Sequence, residues 1–102
     1  MVINERESGF MEDFAEVLEG LAPQAGDHYY RHDDLEIRTE GLEGDPHEIP
    51  NGHAHCRAVL MSASQTVPIV DGRLALGTWQ QIVLIDFDDR PRRRAVTVQV
   101  LS

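Results

Sequence analysis

Apolar and polar positions divide the chain into four stretches. In the first, Phe10, Phe14, Val17, Leu18 and Leu21 fall at i, i+4, i+7, i+8 and i+11, one face of a helix, and Glu12, Asp13, Glu16 and Glu19 take the wet face. Ser8 is placed to cap this helix and Pro23 and Gly26 to stop it, which predicts a helix over about 8–21. Val2 and Ile3 ahead of it read as the end of a strand. The second stretch, Pro23 to Gly52, is rich in Gly, Pro, Asp and Glu and has little periodicity beyond Leu35-Glu36-Ile37-Arg38. Long loops of this kind are usually functional or disordered.

The third stretch, His55 to Ala63, passes from polar to apolar and predicts a short helix over about 54–62. The fourth sets Asp71-Gly72 between Thr66–Val70 and Leu74–Leu76, a hairpin signal, because both central residues of a type I′ turn need φ > 0. Gly77 breaks that run, and Trp79, Ile82, Leu84 and Phe87 then supply large side chains, so the rest of the chain is expected to pack on this hairpin. Asp88-Asp89-Arg90-Pro91 reads as a turn, and Ala95–Val100 alternates as a final strand. The expectation is one α+β domain over 1–102: an antiparallel sheet, one amphipathic helix, a long His-bearing loop, a short helix and a C-terminal three-strand meander.

Charge narrows the partners. The net charge is −9 and every basic residue is Arg; residues 1–48 carry 14 acids against 3 Arg, residues 49–102 carry 4 against 6. A surface this acidic repels phosphate backbones, so nucleic acid is not an expected partner. No apolar run reaches 18 residues and no secretory leader pattern is seen, so no membrane partner is expected either. Cys56 has no second cysteine to pair with, which fits a reducing compartment; the expected location is the cytoplasm.

Chemistry concentrates in the loop. His28, His32, His47 and His53, four of the five histidines, lie in it or at its end. His32-Asp33-Asp34 and His53-Ala54-His55 offer imidazole and carboxylate donors of the kind zinc takes, and His-x-His on an extended segment puts two rings on one side. The same residues also read as surface histidines, or as acid–base groups. Asn4 and Glu5 read as a polar helix entry or as a strand end delivering both into a pocket. Trp79 and Gln80 read as core and ladder residues or as site residues. Arg92, Arg93 and Arg94 read as a solvated turn or as a grip on phosphate or carboxylate. Cys56 beside His55 is a poor nucleophile–base pair, since neighbours on a helix point apart. Gly-rich phosphate loops, a nucleophile elbow and C-x-x-C are all absent.

Val-Ile-Asn-Glu at 2–5, Tyr-Arg-His-Asp at 30–33, Ala-His at 54–55 and Gly-Arg-Leu-Ala-Leu-Gly-Thr-Trp-Gln-Gln-Ile at 72–82 together resemble the YjbQ-like family. The resemblance covers essentially the whole chain. It implies a sheet-based homotrimer with pockets near subunit contacts. The implied activity is that of a secondary thiamine-phosphate synthase, joining hydroxymethylpyrimidine diphosphate to a thiazole phosphate. Family members begin earlier, with strands ending in His-Thr-Thr-Ala, so the chain reads as an N-terminally truncated domain with an uncovered edge. Of the three histidines that meet in the family's pocket, His32 and His55 remain, as acid–base groups or as ligands of a divalent metal, Zn or Mg. Two ligands make a weaker site than three, unless His53, Asp33 or Glu5 substitutes for the third. Asn4 and Glu5 join the catalytic set; Trp79, Gln80 and Arg94, with Arg73 as a further phosphate contact, would bind a small phosphorylated substrate. The competing functions are a non-catalytic metal- or small-ligand-binding oligomer and an inactive fragment of a larger enzyme.

Overall fold

A computed structural model describes residues 1–38, 40 and 50–102. The elements are β1 (Val2–Glu5), α1 (Phe10–Leu21), a single 3-10 turn (Arg31–Asp33), α2 (Gly52–Val59), β2 (Ile69–Val70), β3 (Arg73–Leu74) and β4 (Gln80–Val83). The class is α+β, as the pattern predicts.

α1 forms where its apolar stripe runs. The Phe10 and Phe14 rings stack with centroids 5.9 Å apart, and Leu18, one turn on, is buried. Its start differs from expectation: Gly9 at φ 85° precedes the helix, with no side-chain cap from Ser8. At its other end the Glu19 carboxylate accepts the backbone N–H groups of Gln24 and Ala25 and pairs with Arg57 at 2.8 Å, while Arg57 Nε donates to the Ala22 carbonyl. One guanidinium thereby fastens α2 to the end of α1. Among the described residues the buried apolar side chains are Leu18, Ala22 and Ala54, all at this junction.

The hairpin turn forms as predicted, with φ 52° at Asp71 and 75° at Gly72, and pairs Ile69 with Leu74 and Val70 with Arg73. The meander does not form. β4 pairs with β1, Val2 opposite Val83 through Glu5 opposite Gln80, giving two separate two-stranded sheets. Residues 91–102 have no strand partner among the described residues. Nor is the hairpin the centre of the core: Trp79 is 68% exposed, and Ile69, Val70, Leu74 and Ile82 are exposed with it. The alternation supplied an apolar face, but among the described residues no second layer lies on it. The Leu35–Arg38 alternation is a turn rather than a strand, with Arg38 N–H bonded to the Asp34 carbonyl.

The chain is open as a result. Its radius of gyration is 17.3 Å, against about 13 Å for a compact chain of this length. Its accessible surface is 8384 Å², against roughly 5,800 Å² for a compact chain of this mass.

Candidate functional site

The predicted loop is built around the 3-10 turn. The Tyr30 hydroxyl, just before it, donates to the Pro23 carbonyl at 2.7 Å, and Arg38 Nε donates to the His32 carbonyl at 2.7 Å. Asp33 Oδ1 accepts the backbone N–H groups of Asn51 (3.0 Å) and Gly52 (2.9 Å). These are orphan donors at the start of α2, so Asp33 caps that helix from a distant point in sequence. The approach is close enough that only glycine fits at 52: a Cβ there would lie 2.6 Å from the Tyr30 Cβ.

Docking of the helix start onto the turn places the histidines. Gly52 and His55 are three residues apart and share a face. His55 therefore meets His32, with ring centroids 4.4 Å apart and planes tilted by 56°. His53, two residues back, points about 200° away on the helix. It is 5% exposed, and its Nε2 lies 3.8 Å from Asp89 Oδ2, a carboxylate that also accepts the Gln24 amide at 2.9 Å. The expected extended His-x-His chelate is therefore not what forms, because residues 53–55 are helical. Both His32 Nε2 and His53 Nε2 are buried without a hydrogen-bond partner.

A cavity of about 470 Å³ opens beside the pair, lined by His28, Tyr29, Tyr30, Arg31, His32, His55 and Cys56 with Leu21, Ala22 and Gly52. A smaller hollow of about 190 Å³, lined by Asn51, Ala54, Ala58 and residues 85–88, also has His55 on its wall. His28 packs edge-on against Tyr30, ring centroids 4.5 Å apart. Burial raises the Tyr30 phenol above its ordinary range, and the hydrogen bond to Asp34 Oδ2 raises that of Tyr29. Both phenols stay protonated near neutrality, with their protons given to the Pro23 carbonyl and the Asp34 carboxylate, so neither is a nucleophile.

The other candidates lie apart from this cavity. Asn4 and Glu5 sit on β1 opposite Gln81 and Gln80, and Asn4 Oδ1 accepts the Glu5 N–H. Gln80 Oε1 closes its own turn by accepting the Gly77 N–H at 2.7 Å. None of Asn4, Glu5, Trp79, Gln80 or Arg94 lines the cavity. Arg94 is held by Asp86 at 2.7 Å and reaches Asp88 at 3.6 Å, and Arg92 pairs with Asp88 at 3.0 Å. The Arg94 hydrogen bond pulls the Asp86 carboxyl below its usual range; for Asp88 the hydrogen bond from the Arg90 backbone N–H is the foremost cause, with Arg92 and Arg94 adding to it. Asp33, a stand-in for the third histidine by expectation, is occupied by the start of α2. His47 lies outside the described residues. Tyr30, Arg31, Arg38, Gly52 and Asp89 were not singled out for the site from sequence; Tyr30 and Arg31 stood in the Tyr-Arg-His-Asp block, but Gly52 and Asp89 carry no local signal.

Among the described residues no three His, Cys, Asp or Glu side chains stand where they could hold a metal, and zinc sites use three or four protein ligands. Two imidazoles beside an open cavity can bind a small molecule and move a proton.

A family model described as UPF0047 protein YjbQ-like matches residues 1–102. The chain belongs to the YjbQ-like UPF0047 family. A UPF0047 protein of Archaeoglobus fulgidus is 41% identical over 101 residues, 99% of this chain and 68% of that protein. One from Methanothermobacter thermautotrophicus is 38% identical over 96% of this chain and 57% of its own length. A third, from Synechocystis, is 40% identical over 88% of this chain and 52% of its own. The chain thus spans about half to two thirds of the length of these YjbQ-like relatives. No solved structure matches it. Among the described residues no helix is long and apolar enough to cross a membrane.

Proposed function

We propose that this YjbQ-like protein is a small-molecule transferase of the secondary thiamine-phosphate synthase type, with His32 and His55 as its acid–base pair. The observation that carries this reading is the meeting of those two imidazoles, 23 positions apart in sequence, on the wall of one cavity. In the reaction, the thiazole nitrogen lone pair forms a bond to the pyrimidine methylene carbon. The carbon–oxygen bond to the diphosphate breaks, and diphosphate leaves with that electron pair. An imidazolium at His32 or His55 would give a proton to the departing diphosphate, and the Arg31 guanidinium would bind phosphate oxygens. No step is routed through a metal.

The test is growth of a thiamine-requiring strain carrying this chain, together with product formation from the two purified substrates. The wild-type chain should support both, and His55→Ala and His32→Ala should each lose about 100-fold or more in rate while keeping the far-ultraviolet spectrum. Turnover by His55→Ala equal to the wild type would refute the site.

A second reading, a small-ligand-binding protein without turnover, is favoured by one observation. Of the arginines expected to grip phosphate, Arg94 and Arg92 are engaged elsewhere, on Asp86 and Asp88. Saturable binding of either substrate by the wild type, weakened by His55→Ala and without product, would select it.

A further inference from the structure

His53 is a buried imidazole that the acid–base pair does not use. It is 5% exposed and its Nε2 has no hydrogen-bond partner, a state that buried polar atoms rarely keep. His53 shares a face of α2 with Arg57, four residues on. That face is turned to the end of α1, where Arg57 pairs with Glu19 and donates to the Ala22 carbonyl.

A run of polar contacts joins these two side chains outside the helix. Glu19 accepts the Gln24 backbone N–H, and the Gln24 side-chain amide donates to both Asp89 oxygens, at 2.9 and 3.0 Å. Asp89 Oδ2 then stands 3.8 Å from His53 Nε2. Arg57, Glu19, Gln24, Asp89 and His53 thus form a ring that starts and ends on α2. Its last step is open by roughly 1 Å relative to a hydrogen bond. The Asp89 carboxylate has lone pairs that Gln24 leaves free, and an imidazole Nε2–H is a donor that can take one.

The far side of α2 carries the chemistry. The backbone bonds from Asn51 and Gly52 to Asp33 fix where the helix begins, whereas His53 and Arg57, together on one side, fix how far it is turned about its axis. His55 projects about 200° from His53 and meets His32 with ring centroids 4.4 Å apart. A turn of α2 that changes the His53–Asp89 distance therefore moves the His55 ring against His32 as well.

We propose that Asp89 is a positioning residue for the imidazole site: it takes the His53 Nε2–H and so sets the rotation of α2 that places His55 against His32. Asp89 does not line the cavity and acts through the helix. The proposal rests on the assignment of His32 and His55 as the acid–base pair.

Two measurements on the 102-residue chain test it: the imidazole proton signals of His32 and His55 in the nuclear magnetic resonance spectrum, and kcat/KM for synthase turnover. The signals are assigned by their loss in His32→Gln and His55→Gln. Asp89→Ala should move both ring signals together and lower kcat/KM about 10- to 100-fold, as misplacing a reacting group by about 1 Å does. His53→Met keeps the buried bulk without the donor and should do the same, which covers the case in which Asp89→Ala fails to fold. His53→Gln keeps an Nε2 donor and Asp89→Asn keeps an acceptor, so both should retain the wild-type signals and rate. Asp89→Ala combined with His53→Met should cost no more than either alone, because the two break one contact. Unmoved ring signals in Asp89→Ala and His53→Met, failure of His53→Gln to preserve them, or effects that add would each overturn the proposal. The ring signals need no substrate. A wild type without turnover would therefore refute the synthase reading, and the signals would still decide for or against Asp89.

Discussion

The joint that brings the imidazoles together can be weakened at one carboxylate. Asp33 Oδ1 accepts two backbone N–H groups at 3.0 and 2.9 Å, and Asp33→Ala leaves both without that acceptor. A hydrogen bond to a charged group contributes about 1.5–3 kcal/mol, and loss of a helix cap about 0.5–2 kcal/mol. The two bonds share one oxygen and Asn51 is only half-buried, so water replaces part of the loss; the expected cost is about 2 kcal/mol. Asp33→Asn keeps an acceptor without the charge and should cost about half as much. Urea titration followed by far-ultraviolet circular dichroism, at one fixed protomer concentration, reads this directly. With a slope of about 1–2 kcal/mol per molar, the midpoint falls by roughly 1–2 M for the alanine variant. Asp34→Ala is the control, because Asp34 accepts from the Tyr29 hydroxyl and the Glu36 N–H but touches no part of α2. If Asp33→Ala moves the midpoint no more than Asp34→Ala does, Asp33 does not hold α2 and the account of how His55 reaches His32 is wrong.

Gly52→Ala sets a Cβ 2.6 Å from the Tyr30 Cβ, which cannot swing aside, so it should destabilise by about 1–3 kcal/mol in the same titration and lower site activity; a neutral result would mean that α2 and the turn are not in contact. Trp79→Ala, at a 68% exposed side chain, should change the stability of the dilute chain by less than about 1 kcal/mol, and a loss of 3 or more would place Trp79 in a core. Glu19, Asp86 and Asp88 have carboxyls pulled below their ordinary range in the folded chain, so the unfolded chain takes up protons first. Their contribution is fully present above the ordinary carboxylate range and is lost as pH falls through the lower folded values. The urea midpoint should therefore drop on acidification, less steeply in Arg94→Gln, whose Asp86 loses its partner; a midpoint that rises towards acid pH would reverse the sign. Added salt should strengthen association of a phosphorylated ligand, measured by calorimetry, because residues 1–48 carry a net charge of −11 that salt screens. Weakening by salt would point to a cationic grip instead.

Local periodicity was a sufficient guide where the element depends on its own residues. α1 ends where the apolar stripe ends, and Asp71-Gly72 takes two positive φ values because that turn needs them. The helix at 52–59 was legible, but its start two residues earlier than expected decides the chemistry. Helical geometry at 53–55 turns His53 inward to Asp89 and leaves His55 to meet His32, where an extended His-x-His would have kept them together. The pairing of His32 with His55 came from resemblance, since no spacing rule joins positions so far apart. What covers an apolar face is not a local property. Trp79, Ile82 and Val98 were read correctly as apolar, but nothing along the chain says that no layer of this copy lies over them.

The site and the open sheet therefore depend on different parts of the molecule. The cap from Asp33, the Tyr30–Gly52 contact, the Arg38 bond to His32 and the Arg57–Glu19 pair all lie within residues 19–57. The His53–Asp89–Gln24 cluster and the hollow that α2 shares with residues 85–88 reach out to the segment after β4. Closing the 95–101 edge would bury apolar surface and raise stability without altering any contact that sets the His32–His55 geometry. Removing Asp89 would do the opposite, freeing the inner face of α2 while leaving the sheet edges as they are. A loss of ligand binding in Asp89→Ala, beside unchanged binding in Trp79→Ala on the open sheet, is the pattern that two independent units require.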